Sequence, residues 1–157
     1  GEVLIGPLDH GGRVLHATWN RDESQIMTTG TNSLALVWDA TTGDLLFELM
    51  GHIGSVIFAE WSPEGDSIIT SGEDSTTRIW EADGGNEIFS LTNFRGNQGA
   101  LFGASSDQVI NPNDLGRIDI WNVNVDELVS LAEERLTQFD IPIPDPLEVE
   151  SELSTDE

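Results

Sequence analysis

The stretch GHIGSVIFAEWSPEGDSIITSGEDSTTRIWE, Gly51 to Glu81, decides the fold. It holds one histidine, two tryptophans and several acids, a set of types that could serve a catalytic site. Displaced by 42 residues, the upstream stretch DHGGRVLHATWNRDESQIMTTGTNSLALVWD falls on it almost without gaps. His10 meets His52, Trp19 meets Trp61, Ile26 meets Ile68, Thr28 meets Thr70, Gly30 meets Gly72 and Trp38 meets Trp80. Gly1, Gly43 and Gly85 keep the same step. An active site has no reason to recur at a fixed interval. A structural unit does, because each copy buries its apolar face against the next.

Each unit reads as four short strands separated by turn residues, which points to an all-β chain. In the second unit these are Asp44–Leu49, Ser55–Trp61, Ser67–Gly72 and Thr76–Trp80, with SPEG (62–65) a turn in which proline and glycine hold their favoured places. The strands are rich in Ile, Val, Thr, Phe and Trp, which suit a pleated, half-buried surface.

A histidine and a tryptophan 28 residues apart inside a 42-residue, four-strand unit resemble the WD-repeat β-propeller family. The residues that carry the resemblance are Gly51-His52, SPEG at 62–65, TSGEDSTTRIW at 70–80 and Trp38-Asp39. The resemblance spans residues 1–123, as repeats 1–42, 43–84 and 85–123. It implies that one repeat supplies the outer strand of one blade and three inner strands of the next. It also implies a buried hydrogen-bonded set, complete in the second repeat as His52, Thr70, Asp74 and Trp80. In the first repeat the set is His10, Thr28, Asn32 and Trp38, where Asn32 replaces the acid and can accept a hydrogen bond only without charge. As strand residues packed between sheets, Thr28 and Thr70 are not expected to face a pocket as nucleophiles. His16 stands where Phe58 stands and is expected to pack.

The third unit is degenerate. At a 42-residue step, Phe94 stands for the histidine and Gly103 for the inner tryptophan, and Trp121 arrives one residue early. NFRGNQGALFG lacks the lysine and strand-to-helix setting of a phosphate loop, and NPND (111–114) lacks the acids of a calcium loop. Beyond Trp121 the period changes: Val125, Leu128, Val129, Ala132, Leu136 and Phe139 share one helical face, with Asn124 as N-cap and Glu127 three residues on. A short amphipathic helix is expected over 124–139, as in bacterial WD-repeat chains past their last blade. The proline-containing, acidic segment 140–157 reads as an extended to disordered tail.

The chain has 29 acids, six arginines and no lysine, a net charge of −23. That argues against nucleic-acid phosphates and anionic lipid as partners; the charge reads first as solubility, such as adaptation to a salty cell interior, and second as a match to a protein partner with a basic surface. There is no cysteine for disulfides or thiolate metal sites. No apolar run reaches the roughly 18–20 residues of a membrane span, no signal sequence opens the chain, and a cytoplasmic location is expected.

Propellers have roughly 4–8 blades, so three repeats imply either the C-terminal part of a larger propeller or a ring closed by two or three copies. The resemblance implies a non-catalytic scaffold for protein interaction or sensing, within a multidomain regulatory protein and without a cofactor. Its interaction face would carry Arg13, Thr31, Ser55, Glu73, Arg95 and Asn113. The alternative is a propeller module that positions substrate for a catalytic domain elsewhere. VLIGPL (Val3–Leu8) is expected as the first outer strand.

Overall fold

A computed structural model describes residues 5–92, 99–112 and 116–124. The chain divides between Val123 and Asn124, and every described strand lies before that division. The helix expected over 124–139 and the tail over 140–157 fall outside the described residues, apart from Asn124.

The described residues are all-β. Strands β1 (Val14–Trp19), β2 (Gln25–Gly30), β3 (Leu34–Asp39) and β4 (Leu45–Met50) form one antiparallel sheet in chain order. Strands β5 (Val56–Trp61), β6 (Ser67–Gly72), β7 (Thr76–Glu81) and β8 (Glu87–Thr92) form a second. A three-stranded sheet follows, from β9 (Leu101–Phe102), β10 (Gln108–Pro112) and β11 (Ile118–Asn122). As the resemblance implies, the fourth strand of each complete sheet comes from the start of the next repeat.

The repetition extends to backbone irregularities. The β1–β2 ladder shifts register between Val14 and His16, and the β5–β6 ladder between Val56 and Phe58. Both ladders to the outer strand shift just before the tryptophan, between Val37 and Trp38 and between Ile79 and Trp80. Gly65 closes the SPEG turn at φ 83°, a left-handed conformation that costs glycine nothing. Glu23 holds the same place in the first repeat at φ 62°, where a side chain is strained.

Two apolar layers join the three sheets. Met27, Val37 and Leu49 of the first sheet pack with Val56, Trp61, Ile68 and Trp80 of the second. Ile69 and Ile79, from the other face of the second sheet, pack with Phe102, Val109 and Val123. Alternation along each strand sends successive side chains into different layers. His16 and Phe58 meet across the first interface, ring centroids 4.7 Å apart, so His16 packs as its place in the repeat implies.

Two sequence expectations are corrected. In the second sheet Ile68 faces Trp61 on one side and Trp80 on the other. In the third, Val109 faces Phe102 and Trp121. The third step is therefore 41 residues, and Phe102, only 7% exposed, takes the inner tryptophan position instead of Gly103. Turn hydrogen bonds agree: Ser62 N–H donates to Ser67 O, and Gly103 N–H to Gln108 O, at 2.8 and 2.7 Å. One residue was lost before β9, and Trp121 is in step after all. The second concerns the strand expected over Val3–Leu8, of which Val3 and Leu4 lie outside the described residues. Ile5–Leu8 form no strand: Pro7 lacks an N–H, and no described strand lies beside them to complete a ladder.

Candidate functional site

The repeated polar sets are built across neighbouring strands. In the second sheet β6 presents Thr70, β7 presents Trp80, and the loop before β5 carries His52 over them. The Trp80 indole N–H donates to Thr70 Oγ1 at 2.9 Å, and Thr70 Oγ1 lies 2.8 Å from His52 Nε2. His52 Nδ1 lies 3.1 Å from both carboxylate oxygens of Asp74. With Asp74 ionised the directions follow: Nδ1–H donates to the carboxylate, so Nε2 accepts from the Thr70 hydroxyl. Asp74 also accepts from the Ile53 N–H at 2.9 Å and the Thr76 hydroxyl at 2.8 Å. Burial raises the Asp74 pKa, but these donors outweigh it and hold the group at about 2. Burial lowers the His52 pKa against the opposing pull of Asp74, which keeps the ring neutral at pH 7.

The first set is incomplete in a specific way. Trp38 Nε1–H donates to Thr28 Oγ1 at 2.8 Å, and Thr28 Oγ1 lies 2.9 Å from His10 Nδ1. Here the ring is turned over. A Cβ on Gly30 would overlap His10 Nε2, whereas one on Gly72 would overlap His52 Nδ1. His10 Nε2 thus points where the acid would be and has no partner. Asn32 accepts no well-aligned hydrogen bond from the imidazole, although its side chain beside the ring opposes the burial that lowers the His10 pKa. Its amide N–H donates to the His10 carbonyl at 2.7 Å, and its Oδ1 is buried without a partner. In the third sheet Asn111 takes the register of Thr70, 3% exposed, and its Oδ1 has no described partner. The Phe94 position lies outside the described residues.

These sets have the wrong geometry for a nucleophile relay. Thr28 and Thr70 are 7% and 0% exposed, and each hydroxyl already accepts from an indole N–H. A nucleophile must reach substrate. Among the described residues, no three His, Asp or Glu side chains are grouped to hold a metal ion.

The loop face is open. Arg13 and Thr31 form one couple: the Arg13 N–H donates to Thr31 Oγ1 at 3.2 Å, and the Thr31 N–H to Arg13 O at 3.0 Å. Ser55 and Glu73 repeat it one blade on, with the Ser55 N–H donating to Glu73 Oε2 at 3.3 Å and the Glu73 N–H to Ser55 O at 2.9 Å. The Gly54 N–H donates to Ser33 Oγ at 3.2 Å and ties the two blades together at this end. Arg95 and Asn113, the remaining expected members, lie outside the described residues. Sequence reading missed Ile53. It is 81% exposed and rises beside the Ser55–Glu73 couple, fixed by its own N–H on Asp74. An isoleucine directly after the repeated histidine is the signal that could have found it.

At the other end, a cleft of about 260 Å³ lies between the first two blades, bordered by Trp19, Arg21, Glu60, Trp61 and Pro63. Arg21 bridges the blades there, donating to Pro63 O at 3.2 Å.

Comparison with known proteins agrees with this geometry. Residues 43–81 match the WD domain, G-beta repeat family (WD40). No curated protein matches the chain in sequence. Among solved structures, a chain in the crystal structure of the mitotic checkpoint complex is similar at 19% identity and a TM-score of 0.65, over 73% of this chain and 36% of that one. The β-propeller domain of Cps50 (Swd1) from Myceliophteria thermophila is similar at 16% identity and a TM-score of 0.67, over 72% of this chain and 35% of that one. The chain thus spans about a third of the length of either structure. Residues 43–81 match the WD40 repeat, and the described sheets have the fold of consecutive β-propeller blades.

Proposed function

We propose that this chain is a protein-interaction scaffold that engages its partner through the loop face bearing Arg13, Thr31, Ile53, Ser55 and Glu73. WD40 propellers are typically non-catalytic and bind protein partners. The observation that carries the reading is the exposure of Ile53, 81%, on a loop whose backbone N–H is tied to the half-buried Asp74 carboxylate. An apolar side chain on a preorganised loop, rimmed by polar groups, loses little entropy when a partner covers it. Glu73 beside it and the net charge of −23 favour a partner that presents a basic rim around an apolar pocket. A regulatory setting, in which the partner is recruited rather than modified, follows from the same reading.

The test is binding to a panel of immobilised basic and acidic peptides, each with and without an apolar anchor. Binding is expected for the basic, anchored class. It should weaken on Ile53→Asp through loss of the anchor and on Glu73→Arg through slower association that salt mimics. Equal binding of wild type and both variants would refute the loop face as the contact.

A further inference from the structure

The link from β4 to β5 presents two apolar side chains to solvent. Met50 is 68% exposed and Ile53 is 81% exposed. The backbone between them is held at every step. Gly51 packs on the Arg78–Glu87 ion pair of the second sheet, where an added Cβ would stand 2.7 Å from the Arg78 guanidinium. His52 is buried in its hydrogen-bonded set. The Ile53 N–H donates to Asp74 and the Gly54 N–H to Ser33 Oγ. Neither neighbouring link repeats the apolar pair: Gly11 stands for Ile53 one repeat earlier, and Thr92 for Met50 one repeat on.

Met50 also ends the outer strand β4, whose far edge pairs with no strand among the described residues. An edge strand turns the N–H and C=O groups of alternate residues away from its sheet. β4 has no lysine, arginine or proline to blunt that edge. Its bulge comes early: Phe47 faces Val37 and Leu45 faces Trp38, so Leu46 is the extra residue. From Phe47 to Met50 the ladder is regular. Along it Phe47 and Leu49 point towards Gly85 of the second repeat, while Glu48 and Met50 point to the other face and are exposed. That exposure does not depend on a missing neighbour. In the second sheet, which the first sheet precedes, the counterparts Ser90 and Thr92 are exposed as well.

We infer, on the reading that the loop face is the contact, that its partner is an extended segment that adds a fifth strand to β4 along Phe47–Met50 and continues over Ile53. Backbone hydrogen bonds to the free edge give affinity, and alternate side chains give specificity. The segment sets a basic residue beside Glu48 and an apolar one beside Met50, then covers Ile53 with a second apolar residue. Glu73, beside Ile53, extends the basic preference. A second copy of this chain does not meet these terms. β4 offers no basic residue to face Glu48, and each copy carries a net charge of −23. An amphipathic helix laid over Met50 and Ile53 would cover the edge and leave its N–H and C=O groups unpaired.

Two short peptides of equal composition test this on the full chain. One alternates leucine with arginine and favours a strand; the other sets the same residues at helical spacing. The alternating peptide should bind, and Met50→Glu and Ile53→Asp should each weaken it by about tenfold, since both side chains are exposed and the fold does not need them. Glu48→Arg should weaken it too, by a factor that shrinks as salt is added. Amide hydrogen exchange should slow at alternate residues of Phe47–Met50 when the peptide binds, and stay unchanged in β8. Loss of binding with Ile53→Asp, but no effect of Met50→Glu and no protection in β4, would overturn strand addition and leave the loop face standing. Unchanged binding with Ile53→Asp would overturn the loop face itself. Preference for the helical peptide, or failure of the alternating one to bind, would overturn the inference as well.

Discussion

Trp19 and Trp61 hold the same place in consecutive repeats, yet Trp19 is 53% exposed and Trp61 is 8% exposed. The side chains and the ladder registers match; what differs is that the first sheet covers Trp61, whereas no described sheet covers Trp19. Local structure is therefore written within one repeat, while burial is written between repeats. Trp61→Ala should cost about 3–5 kcal/mol, the transfer and cavity terms of a core aromatic, whereas Trp19→Ala should cost under about 1 kcal/mol. Urea denaturation of the two variants checks this, and equal losses would show that blade packing does not decide the difference.

Asn32→Asp should stabilise the first blade. A carboxylate there gives His10 Nε2–H the acceptor it lacks, a charge-assisted bond of about 1.5–3 kcal/mol, less the bond Asn32 now donates to the His10 carbonyl. The net gain expected is about 1 kcal/mol, read as a raised urea midpoint. A lowered midpoint would mean that the amide donation matters more than the unpaired imidazole.

Acid should erase the contribution of Asp74. Its folded pKa of about 2 lies below the ordinary 3.8, so its ionised form stabilises the fold fully above 3.8 and the contribution disappears as pH falls towards 2. Asp74→Asn should be less stable than wild type at neutral pH, with the gap closing across that window. Relief of repulsion among the other carboxylates acts on both proteins and cancels. A gap independent of pH would show that Asp74 acts by shape rather than by charge.

The 41-residue register of the third blade predicts opposite outcomes at adjacent positions. Phe102→Ala should open a core cavity and cost about 3–5 kcal/mol. Gly103→Trp, which would restore a tryptophan at the 42-residue step, should be worse still, because even a Cβ at Gly103 would stand 2.8 Å from Gln108 Cβ. A tolerated tryptophan at 103 would restore the longer step.

Most of the fold was legible because the signal occurs twice. His52, Thr70, Asp74 and Trp80 meet as the repeat implied, and β6 begins and ends at the residues read from sequence, Ser67 and Gly72. The third repeat misled because a one-residue deletion is invisible in a single worn copy. Only the cross-strand partners of Val109 reveal it. The turned His10 ring was also beyond reach, since the type of residue 32 says nothing about which imidazole nitrogen faces it. Val3–Leu8 has the composition of a strand but no described neighbour, and a strand needs a ladder as well as a sequence. Ile53 escaped notice because a lone apolar loop residue looks ordinary until the bond that fixes it is seen.

The reading of the site rests on the His52–Thr70–Asp74–Trp80 set, and its counterpart His10–Thr28–Trp38, stabilising their blades by buried hydrogen bonds. The stability of Thr70→Val tests it most directly. Valine keeps the volume but leaves the Trp80 N–H and His52 Nε2 buried and unpaired, each at a cost of about 1–3 kcal/mol. The account predicts a loss of about 2–4 kcal/mol in urea denaturation, with Trp80 remaining buried in the folded variant. A change under about 0.5 kcal/mol would contradict it.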